Sequence, residues 1–361
     1  MRWTPCSEGQ VTIDRRQFLR AAGASLVAGQ LGACGRSRSP VAGVPVSGFN
    51  DESTAEEVTA GLNLKGKYAV VTGCTSGIGL ETMRVLAARG AFVVGTSRSM
   101  ARAEQACKSV VGITSPARLD LGDFESVVEC AEHIRGMRIP IDMLICNAGY
   151  LGGGNDREIV HGVEKHFAVN HLGHFIFVNR VLDRLYIADQ GRIVMTASRT
   201  AYTEAPEQGI LFDDLTFNEE YSGLTAYGHS KLAIVLFSLA LSKLLRGTRI
   251  TTNSMHPGVI DTEIGRHFNP VMRFGLKLVA AVGGKTIEEG AATGCYLATS
   301  KALGAVSGQY FEDCNAVVVG GKNHLYNDAM AEQLMAVSEA LTADYLVEQE
   351  GPQRRERPNA S

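Results

Sequence analysis

The sequence predicts a single-domain α/β fold in which helices cover both faces of a parallel β-sheet. From residue 65 onward, short and uniformly apolar runs alternate with longer segments whose apolar residues recur with a helical period. Uniformly apolar runs are typical of strands buried on both faces, and right-handed crossovers then place helices on both sides of the sheet. The composition shows no second regime between about residues 65 and 345. We therefore predict one doubly wound, three-layer sandwich over 65–345.

Strands and helices alternate in a regular order along this domain. The predicted strands are Tyr68–Thr72, Ala91–Gly95, Arg118–Leu121, Ile141–Cys146, Arg192–Ala197, Ile250–Met255 and Ser307–Phe311. The predicted helices are Ile78–Ala88, Ala101–Val110, Phe124–Arg135, Val163–Leu185, Ala226–Leu245 and Glu288–Ala298. Ligands of a doubly wound sheet bind beyond the carboxyl ends of its strands, so functional residues are expected there.

The composition is that of a folded protein without a nucleic-acid-binding surface. The 361 residues carry a formal charge of −3, which provides no basic excess for a polyphosphate. The eight cysteines show no metal-ligand spacing, and most lie in apolar periodic segments, which predicts buried thiols rather than disulfides or a metal site. No apolar run reaches the roughly 18 residues that a membrane-spanning helix needs.

The N-terminal region has the pattern of a targeting segment. The sequence around Arg15 and Arg16 has paired arginines, Phe-Leu and a short apolar run, and it resembles a bacterial twin-arginine export signal. Leu31-Gly32-Ala33-Cys34 resembles a lipobox, in which the cysteine is acylated. We therefore predict an export signal over 1–33 and a location in the bacterial cell envelope or periplasm, anchored through Cys34. The alternative is a basic tail on a cytoplasmic protein.

Two further segments flank the predicted domain. Residues 34–64 are interpreted as a tether with a short helix, because 35–50 contain Gly, Ser and Pro without periodicity. The sequence from Ser53 to Glu56 fits a capping box, which predicts a helix that begins there and stops at Gly61. Residues 346–361 are charged and predict a flexible tail.

A glycine-rich turn lies between the first predicted strand and its helix. Gly73 permits a tight turn, Gly77 removes a side chain where a pyrophosphate approaches, and Gly79 lets the helix pack closely on the strand. The helix N-terminus then offers unpaired N–H groups to phosphates. This placement predicts a dinucleotide-binding site.

The end of the second predicted strand bears on the choice of cofactor. An acidic residue at this position would accept hydrogen bonds from a free ribose 2′-hydroxyl, but the sequence has Thr96-Ser97-Arg98. A guanidinium pairs well with a 2′-phosphate, so NADP(H) is favoured over NAD(H). The alternative is a solvated surface arginine.

A tyrosine and a lysine four residues apart open a long apolar helix. The spacing places Tyr227 and Lys231 on one face, where an ammonium would lower the phenol pKa from its usual value of about 10. Ser198 follows the fifth predicted strand and supplies a hydroxyl near them. Asn170 is a polar residue in an apolar helix, which fits either a helix kink or a bound water. Together they suggest a site for proton transfer.

These motifs stand in the order of the short-chain dehydrogenase/reductase family. The resemblance covers about 55–330 and rests on the glycine turn, Cys146-Asn147-Ala148-Gly149, Asn170, Ser198, Tyr227-x-x-x-Lys231 and His256-Pro257-Gly258-Val259. The segments around Asn170 and Tyr227 resemble the retinol-dehydrogenase and WW-domain-oxidoreductase branch, and Ser53–Val58 is similar to its chloroplast-envelope members. Ala197 and Cys146 depart from the family pattern, but neither removes a reacting group.

The resemblance implies a Rossmann-type NAD(P)-dependent enzyme that interconverts an alcohol and a carbonyl group. Tyr227 would be the acid/base, Lys231 would lower its pKa and hold the nicotinamide ribose, Ser198 would orient the reacting oxygen, and Asn170 would hold a water that links Lys231 to solvent. The residues expected to bind the cofactor are Gly73, Thr75, Ser76, Gly77, Ile78, Gly79, Arg98, Asp120, Leu121, Asn147, Ala148, Gly149, Tyr227, Lys231, Pro257, Gly258, Val259 and Thr262.

Two apolar segments bear on the substrate. One lies between Ser198 and Tyr227 and contains Tyr202, Ile210, Phe212, Phe217 and Tyr221; the other follows Thr262 and contains Phe268, Val271, Met272, Phe274, Leu276 and Leu278. If they line the pocket, the substrate is lipophilic, of the retinoid, steroid or long-chain aldehyde/ketone type. The alternative is that they pack on the sheet.

Other functions are compatible with the same motifs. One is a catalytically silent nucleotide-sensing protein, and another is a C=C reductase similar to protochlorophyllide reductase. The resemblance also implies a homo-oligomer assembled through long helices.

Overall fold

The computed structural model describes residues 38–152, 156–260 and 284–346. Its strands are β1 (Arg38–Pro40), β2 (Tyr68–Val71), β3 (Phe92–Ser97), β4 (Ile113–Arg118), β5 (Met143–Cys146), β6 (Ile159–Val160), β7 (Val163–Glu164), β8 (Gly191–Thr196), β9 (Ile250–His256), β10 (Tyr310–Glu312) and β11 (Asn315–Val319). Its α-helices are α1 (Ala55–Val58), α2 (Gly77–Ala88), α3 (Met100–Lys108), α4 (Phe124–Gly136), α5 (Gly173–Tyr186), α6 (Thr200–Thr203), α7 (Gly223–Leu244), α8 (Ile287–Thr299) and α9 (Asp328–Leu341). A π-helical segment, Phe167–Leu172, leads into α5.

A mostly parallel sheet forms the centre of the described residues. Its nine strands lie in the order β1-β11-β10-β9-β8-β5-β2-β3-β4, and all neighbours from β10 to β4 are parallel. The hairpin of β10 and β11 adds an antiparallel edge to which β1 is also antiparallel. Helices cover both faces, so the predicted doubly wound sandwich is confirmed; the antiparallel edge was not predicted.

The central strand β2 shows why this sequence forms a buried parallel sheet. Val70 pairs with Val94 of β3 on one side and with Leu144 of β5 on the other. All three side chains are buried, and β-branched residues pack well on a pleated surface that is covered on both faces. The chain leaves β2 in one direction toward β3 and returns on the other side as β5. A crevice therefore opens between their carboxyl ends.

The helix α7 forms the interior of one helical layer. It begins after Ser222, whose hydroxyl accepts a hydrogen bond from the backbone N–H of Thr225. Its length and hydropathy would suffice to cross a membrane, but most of its residues are buried inside this protein. Because α9 packs on it and Lys243 pairs with Asp328 and Glu332, α7 is a core helix of the fold.

The capping box of α1 differs by one residue from the prediction. Thr54 caps the helix instead of Ser53, and the carboxylate of Glu57 accepts hydrogen bonds from the N–H and hydroxyl of Thr54 at 2.7 and 3.0 Å. Glu56 instead pairs with Arg84 of α2 and with Arg89, which directly follows α2. The helix ends at Val58 rather than at Gly61.

The described part of the predicted tether is attached to the domain. The strand β1 pairs with Val317–Val319 of β11. The backbone N–H of Ser47 donates to Asn315 Oδ1 at 2.8 Å, and the ring of Phe49 lies 5.6 Å from that of Tyr296. The interpretation of 35–50 as a flexible tether is therefore wrong for 38–50. The predicted export signal, Cys34 and the tail beyond residue 346 lie outside the described residues.

Several predicted elements are displaced or missing. The third predicted strand, Arg118–Leu121, is instead Ile113–Arg118, at the edge of the sheet where Pro116 is tolerated. The predicted helix Val163–Leu185 begins in the small hairpin of β6 and β7, and only then becomes π-helical and α-helical. The helices α6 and α9 were not predicted.

The cysteines confirm the expectation of buried thiols as far as the structure describes them. The six described cysteines are free and buried: Cys74, Cys107, Cys130, Cys146, Cys295 and Cys314. Burial in apolar surroundings raises the pKa of the Cys74 and Cys130 thiols to about 12. These thiols act as small core hydrophobes at neutral pH.

Candidate active site

A cavity of about 840 Å³ opens at the carboxyl ends of β2, β3, β5, β8 and β9. This is the edge of the sheet where the fold places ligands. The predicted site residues that line it are Gly73, Thr75, Ser76, Gly77, Ile78, Gly79, Arg98, Asp120, Leu121, Asn147, Ala148, Gly149, Ser198, Tyr227, Lys231, Pro257 and Gly258. The structure therefore brings most of them to one surface.

The glycine turn forms one wall of the cavity. Gly73 and Gly77 adopt φ angles of +71° and +56°, in the left-handed region that favours glycine. A Cβ atom at Gly79 would lie 2.2 Å from the carbonyl oxygen of Gly73 and 2.5 Å from Asn147 Nδ2. The turn thus needs glycine for its backbone and for close packing, and it leaves the N-terminus of α2 open to the cavity.

Thr72 joins the ends of β2 and β5 beneath this turn. Its hydroxyl oxygen accepts hydrogen bonds from the backbone N–H groups of Asn147 and Ala148, each at 2.9 Å. The side-chain amide of Asn147 donates back to the carbonyl of Thr72 at 2.9 Å. His174 Nε2 lies 3.1 Å from the same hydroxyl. Sequence reasoning missed Thr72 because it appeared only as the end of a strand.

Two arginines line the cavity near the end of β3. Arg98 follows the strand directly, and Arg102 lies four residues further on, in α3. The hydroxyl of Ser99 caps α3 by accepting a hydrogen bond from the N–H of Arg102. Sequence reasoning missed Arg102, which lies in the first turn of α3. This end of the cavity therefore has more positive charge than predicted.

Tyr227, Lys231 and Ser198 meet at the opposite end of the cavity. The lysine ammonium donates to the carbonyl oxygen of Thr196 at 2.8 Å and lies 5.5 Å from the centroid of the tyrosine ring. The side chains of Tyr227 and Lys231 are almost entirely buried. A hydrogen bond connects the hydroxyls of Ser198 and Tyr227. A phenol, an ammonium and a hydroxyl therefore converge at this end of the cavity.

Burial governs the titration of these groups. It raises the pKa of the Tyr227 phenol, and the hydrogen bond with Ser198 opposes part of that rise. Burial also lowers the pKa of Lys231 to about 7. The expected lowering of the tyrosine pKa is therefore wrong for the protein by itself, since both groups are withdrawn from water and the amine donates to Thr196 rather than to the phenol.

Asn170 lies one layer behind the cavity. Its side chain accepts from the N–H of Tyr150 at 2.7 Å, and donates to the carbonyl of Tyr150 at 3.0 Å and to Ser230 Oγ at 2.9 Å. It belongs to the π-helical segment, as the kink interpretation anticipates. Since Tyr150 lines the cavity and Ser230 belongs to α7, Asn170 ties the cavity wall to the helix of Tyr227.

Some predicted residues are not brought to the cavity. Val259 does not line it, and its carbonyl accepts a hydrogen bond from the N–H of Lys285 at 2.8 Å. Thr262 and the apolar segment that follows it, from Phe268 to Leu278, lie outside the described residues. The prediction that the segment between Ser198 and Tyr227 lines the pocket is wrong for its named side chains, because none of Tyr202, Ile210, Phe212, Phe217 and Tyr221 borders the cavity. The alternative of packing on the core is correct for Ile210, Phe212 and Tyr202.

His256 is a site residue that sequence reasoning missed. It ends β9, lines the cavity and is only 5% exposed. Within the part of the chain that the structure describes, neither ring nitrogen has a hydrogen-bond partner, which is costly for buried polar atoms. Its place directly before Pro257 and Gly258 was the available signal. A bound molecule in the cavity would supply the missing partners.

The residues at both ends fit a dinucleotide. The glycine turn is closely packed against Asn147, the N-terminus of α2 faces the cavity, and two arginines lie where the adenosine ribose of such a molecule would be held. The orphaned nitrogens of His256 lie at the other end, beside Tyr227 and Ser198. The cavity therefore combines a phosphate-binding end with an end suited to proton transfer.

Comparison with known proteins gives the family. A family model described as short chain dehydrogenase matches residues 67–210. Short-chain dehydrogenase TIC 32 A, chloroplastic, from Brassica napus is 39% identical over 80% of this chain and 92% of its own length. Retinol dehydrogenase 12 from Homo sapiens is 36% identical over 77% of this chain and 86% of its own. WW domain-containing oxidoreductase from Gallus gallus is 33% identical over 82% and 73%, respectively.

The solved structures agree with this relationship. The structure of an uncharacterized protein from Mycobacterium Paratuberculosis superposes with a TM-score of 0.62 at 28% identity, over 81% of this chain and 98% of that one. The chain belongs to the short-chain dehydrogenase/reductase family, whose members are oxidoreductases that use NAD(P)(H). The predicted likeness to retinol dehydrogenases and WW-domain oxidoreductases is confirmed.

Proposed function

We propose that this protein is an NADP(H)-dependent oxidoreductase that interconverts an alcohol and a carbonyl group on a lipophilic small molecule. The observation that carries the proposal is the convergence of Tyr227, Lys231 and Ser198 at one end of a cavity whose other end has the glycine turn. The cavity between these two ends has a volume of about 840 Å³. When bound, the dinucleotide supplies or accepts the hydride.

The cofactor end would recognise charge. The open N-terminus of α2 and the turn from Gly73 to Gly79 would hold the phosphates. Arg98 and Arg102 would pair with a ribose 2′-phosphate, which favours NADP(H) over NAD(H). Asp120, Leu121 and Asn147 would border the adenosine and ribose. Pro257, Gly258 and Thr262 remain proposed contacts of the nicotinamide amide.

The catalytic end would move a proton. Because its pKa is raised, the Tyr227 phenol holds its proton at neutral pH and can donate it to the oxygen of a carbonyl substrate during reduction. Ser198 would donate a hydrogen bond to the same oxygen. Lys231, with a pKa of about 7, can lose and regain a proton near neutral pH, so it can help to reprotonate the tyrosine. Asn170 would keep Tyr150 and α7 in register.

The lipophilic substrate is inferred from the cavity wall and from the relatives. Leu151, Val160 and Ile260 line the cavity with apolar surface. The relatives named as retinol dehydrogenases take their name from a lipophilic alcohol. Retinoids, steroids and long-chain aldehydes or ketones are therefore the substrate classes to test first.

The test is NADPH and NADH oxidation by the purified protein with a panel of carbonyl compounds. We expect turnover with an apolar aldehyde or ketone, faster with NADPH than with NADH. NADPH binding without turnover on any compound would favour a silent nucleotide sensor. Products reduced at a C=C bond, identified by mass spectrometry and NMR, would instead favour a reductase similar to protochlorophyllide reductase.

We also propose export to the bacterial cell envelope, with acylation of Cys34. The support is the pattern of the paired arginines and the lipobox in the sequence. Fractionation of cells that express the wild type and the Arg15→Lys/Arg16→Lys variant tests this: we expect envelope material only for the wild type. Cytoplasmic protein in both would contradict it and favour the cytoplasmic alternative.

We further propose a homo-oligomer. Assembly through α7 would have to displace α9, which packs on it, so another surface is the better candidate. Light scattering on the purified protein measures the subunit number directly, and a monomer at all concentrations would contradict the proposal.

A further inference from the structure

A buried carboxylate lies next to the catalytic end of the cavity. Glu312 ends β10, where it pairs in register with His256 of β9. Only 1% of its side chain is exposed. A charge withdrawn from water to this degree is unfavourable unless donors surround it. Hydrogen-bond donors are therefore expected around this carboxylate.

Four side chains from three parts of the chain donate to Glu312. The guanidinium of Arg38, in β1, contacts Oε2. Arg199 donates to the same oxygen from Nε at 2.9 Å and from Nη2 at 2.8 Å. The hydroxyls of Tyr202 and Tyr310 donate to Oε1 at 2.8 and 3.3 Å. Both carboxylate oxygens are thus used, one by guanidinium groups and the other by phenols.

The charges and protonation states of these groups are consistent with a fixed network. Burial, reinforced by the Glu312 carboxylate, raises the pKa values of Tyr202 and Tyr310, so both phenols retain their protons and act as donors. Two guanidinium groups face one carboxylate, and charge-assisted bonds of this kind are the stronger class of hydrogen bond. The network is therefore expected to hold its members in one arrangement.

Two members of this network flank the backbone that follows Ser198. Arg199 comes directly after the serine, and Tyr202 lies in α6. Ser198 Oγ accepts a hydrogen bond from the N–H of Thr200 at 3.2 Å, and its carbonyl accepts from the N–H of Ala201. Glu312 binds Arg199, directly before α6, and Tyr202, within α6. It thereby fixes the backbone from which the Ser198 hydroxyl reaches Tyr227.

We propose that Glu312 is a positioning residue for Ser198, and that β1 supports the active site from behind its wall, through the contact of Arg38 with Glu312. Arg38 and Glu312 are 274 positions apart, and β1 precedes the residues matched by the family model. The catalytic consequence rests on the proposed function, whereas the ordering of residues 198–205 does not depend on it. The N-terminal strand would therefore contribute to turnover as well as to the edge of the sheet.

Hydrogen–deuterium exchange of the full-length protein tests the ordering directly. We compare the wild type with Glu312→Gln, Arg38→Gln and, as a matched control, Arg135→Gln, which removes a surface arginine that pairs with Glu132 and Asp183. We expect the amides of 198–205 to exchange about tenfold faster in Glu312→Gln, and less so in Arg38→Gln, with the amides of α7 unchanged. Unchanged exchange of 198–205, or an equal effect in Arg135→Gln, would overturn the proposal.

A kinetic measurement tests the consequence for Ser198. We expect Glu312→Gln to lower kcat about tenfold. The dissociation constant for NADPH should stay within twofold of the wild-type value, because Glu312 lies next to the catalytic end of the cavity and not at the cofactor end. The double variant Arg38→Gln/Glu312→Gln should equal Glu312→Gln, because both changes act through one carboxylate. Additive losses would contradict the shared network.

Two provisions keep the outcomes separate. If Glu312→Gln does not fold, Arg38→Gln and Tyr202→Phe carry the test, since each removes one donor and leaves the carboxylate in place. If the wild type reduces no carbonyl compound, the proposed function fails while the exchange experiment still decides whether the network orders 198–205.

Discussion

The two ends of the cavity are built in different ways. The phosphate-binding part of the cofactor end is contiguous in sequence, since Gly73, Gly77 and Gly79 act within one strand–turn–helix unit. The catalytic end gathers Ser198 and Tyr227 from two separate elements. A local motif therefore defines one end, whereas the packing of distant segments defines the other.

The two ends also differ in their exposure to water. Arg98 at the cofactor end is exposed, whereas Tyr227 and Lys231 are buried. Burial shifts the pKa values of the catalytic pair in opposite directions, each toward the neutral form of the group. Substitutions at the catalytic end should therefore change proton transfer, and those at the cofactor end should change binding.

The largest effect is expected from Tyr227→Phe. Loss of the phenolic proton donor should lower kcat for carbonyl reduction by about 10²–10⁴-fold, the usual range for a general acid. Equilibrium binding of NADPH, measured by fluorescence titration, should remain within a few fold of the wild type. An active Tyr227→Phe protein would remove this residue from the mechanism.

A large effect of pH on stability is expected from histidines packed around the catalytic helices. Burial lowers the pKa of His171 and His229 to about 3 and that of His174 to about 4, well below the usual 6.5. Below pH 6.5 the unfolded chain binds more protons than the folded protein. Each histidine therefore contributes stability that is fully present above pH 6.5 and is lost as the pH falls toward 4. The loss is about 1.4 kcal/mol per pH unit for each.

Urea unfolding at pH 7.5 and pH 5.0 measures this dependence. His171→Gln should reduce the difference in unfolding free energy between the two pH values, since one titrating group is gone. His133→Gln, at an exposed position, is the matched control for the substitution itself. If the wild type, His171→Gln and His133→Gln show the same pH dependence of stability, the burial of His171 is not its cause.

A moderate effect is expected from Gly79→Ala at the cofactor end. The new methyl group would meet the Gly73 carbonyl oxygen, so the turn must shift, at a cost of about 1–3 kcal/mol in stability. We expect NADPH affinity to fall with kcat at saturating cofactor little changed. Gly136→Ala is the matched control, because nothing lies near its Cβ position and alanine favours helix. If Gly79→Ala and Gly136→Ala bind NADPH with equal affinity, the proposal that the glycine turn holds the cofactor is contradicted.

The smallest effect is expected from the arginines that line the cavity near β3. Arg98→Ala and Arg102→Ala should each reduce the preference for NADPH over NADH by about tenfold, through a lost charge-assisted contact with the 2′-phosphate. NADH affinity should remain unchanged, as measured by the same titration. A parallel loss for both cofactors would indicate a general structural effect instead.

The parts of the fold and site that follow from local rules could be predicted from the sequence. The glycine turn is local because it depends on backbone angles and on one strand–helix contact. The proximity of Tyr227 and Lys231 is equally local, because residues four apart share a helix face. The alternation of strands and helices was sufficient for the layered sheet.

Other features depend on partners far away in the chain. Ser53 and Thr54 both fit an N-cap, and the ion pairs of Glu56 with Arg84 and Arg89 leave Glu57 to complete the box with Thr54. The apolar pattern between Ser198 and Tyr227 does not reveal which way its side chains point. The burial of Tyr227 and Lys231, which reverses the expected pKa argument, follows only from the assembled core.

Transfer of deuterium from NADPH labelled at the nicotinamide C4 tests the central claim most directly. With an accepted aldehyde or ketone, we predict deuterium on the former carbonyl carbon of the product in the wild type. The Tyr227→Phe protein should bind the labelled cofactor and give almost no labelled product. Deuterium at a former C=C carbon, or equal labelling by both proteins, would contradict the account.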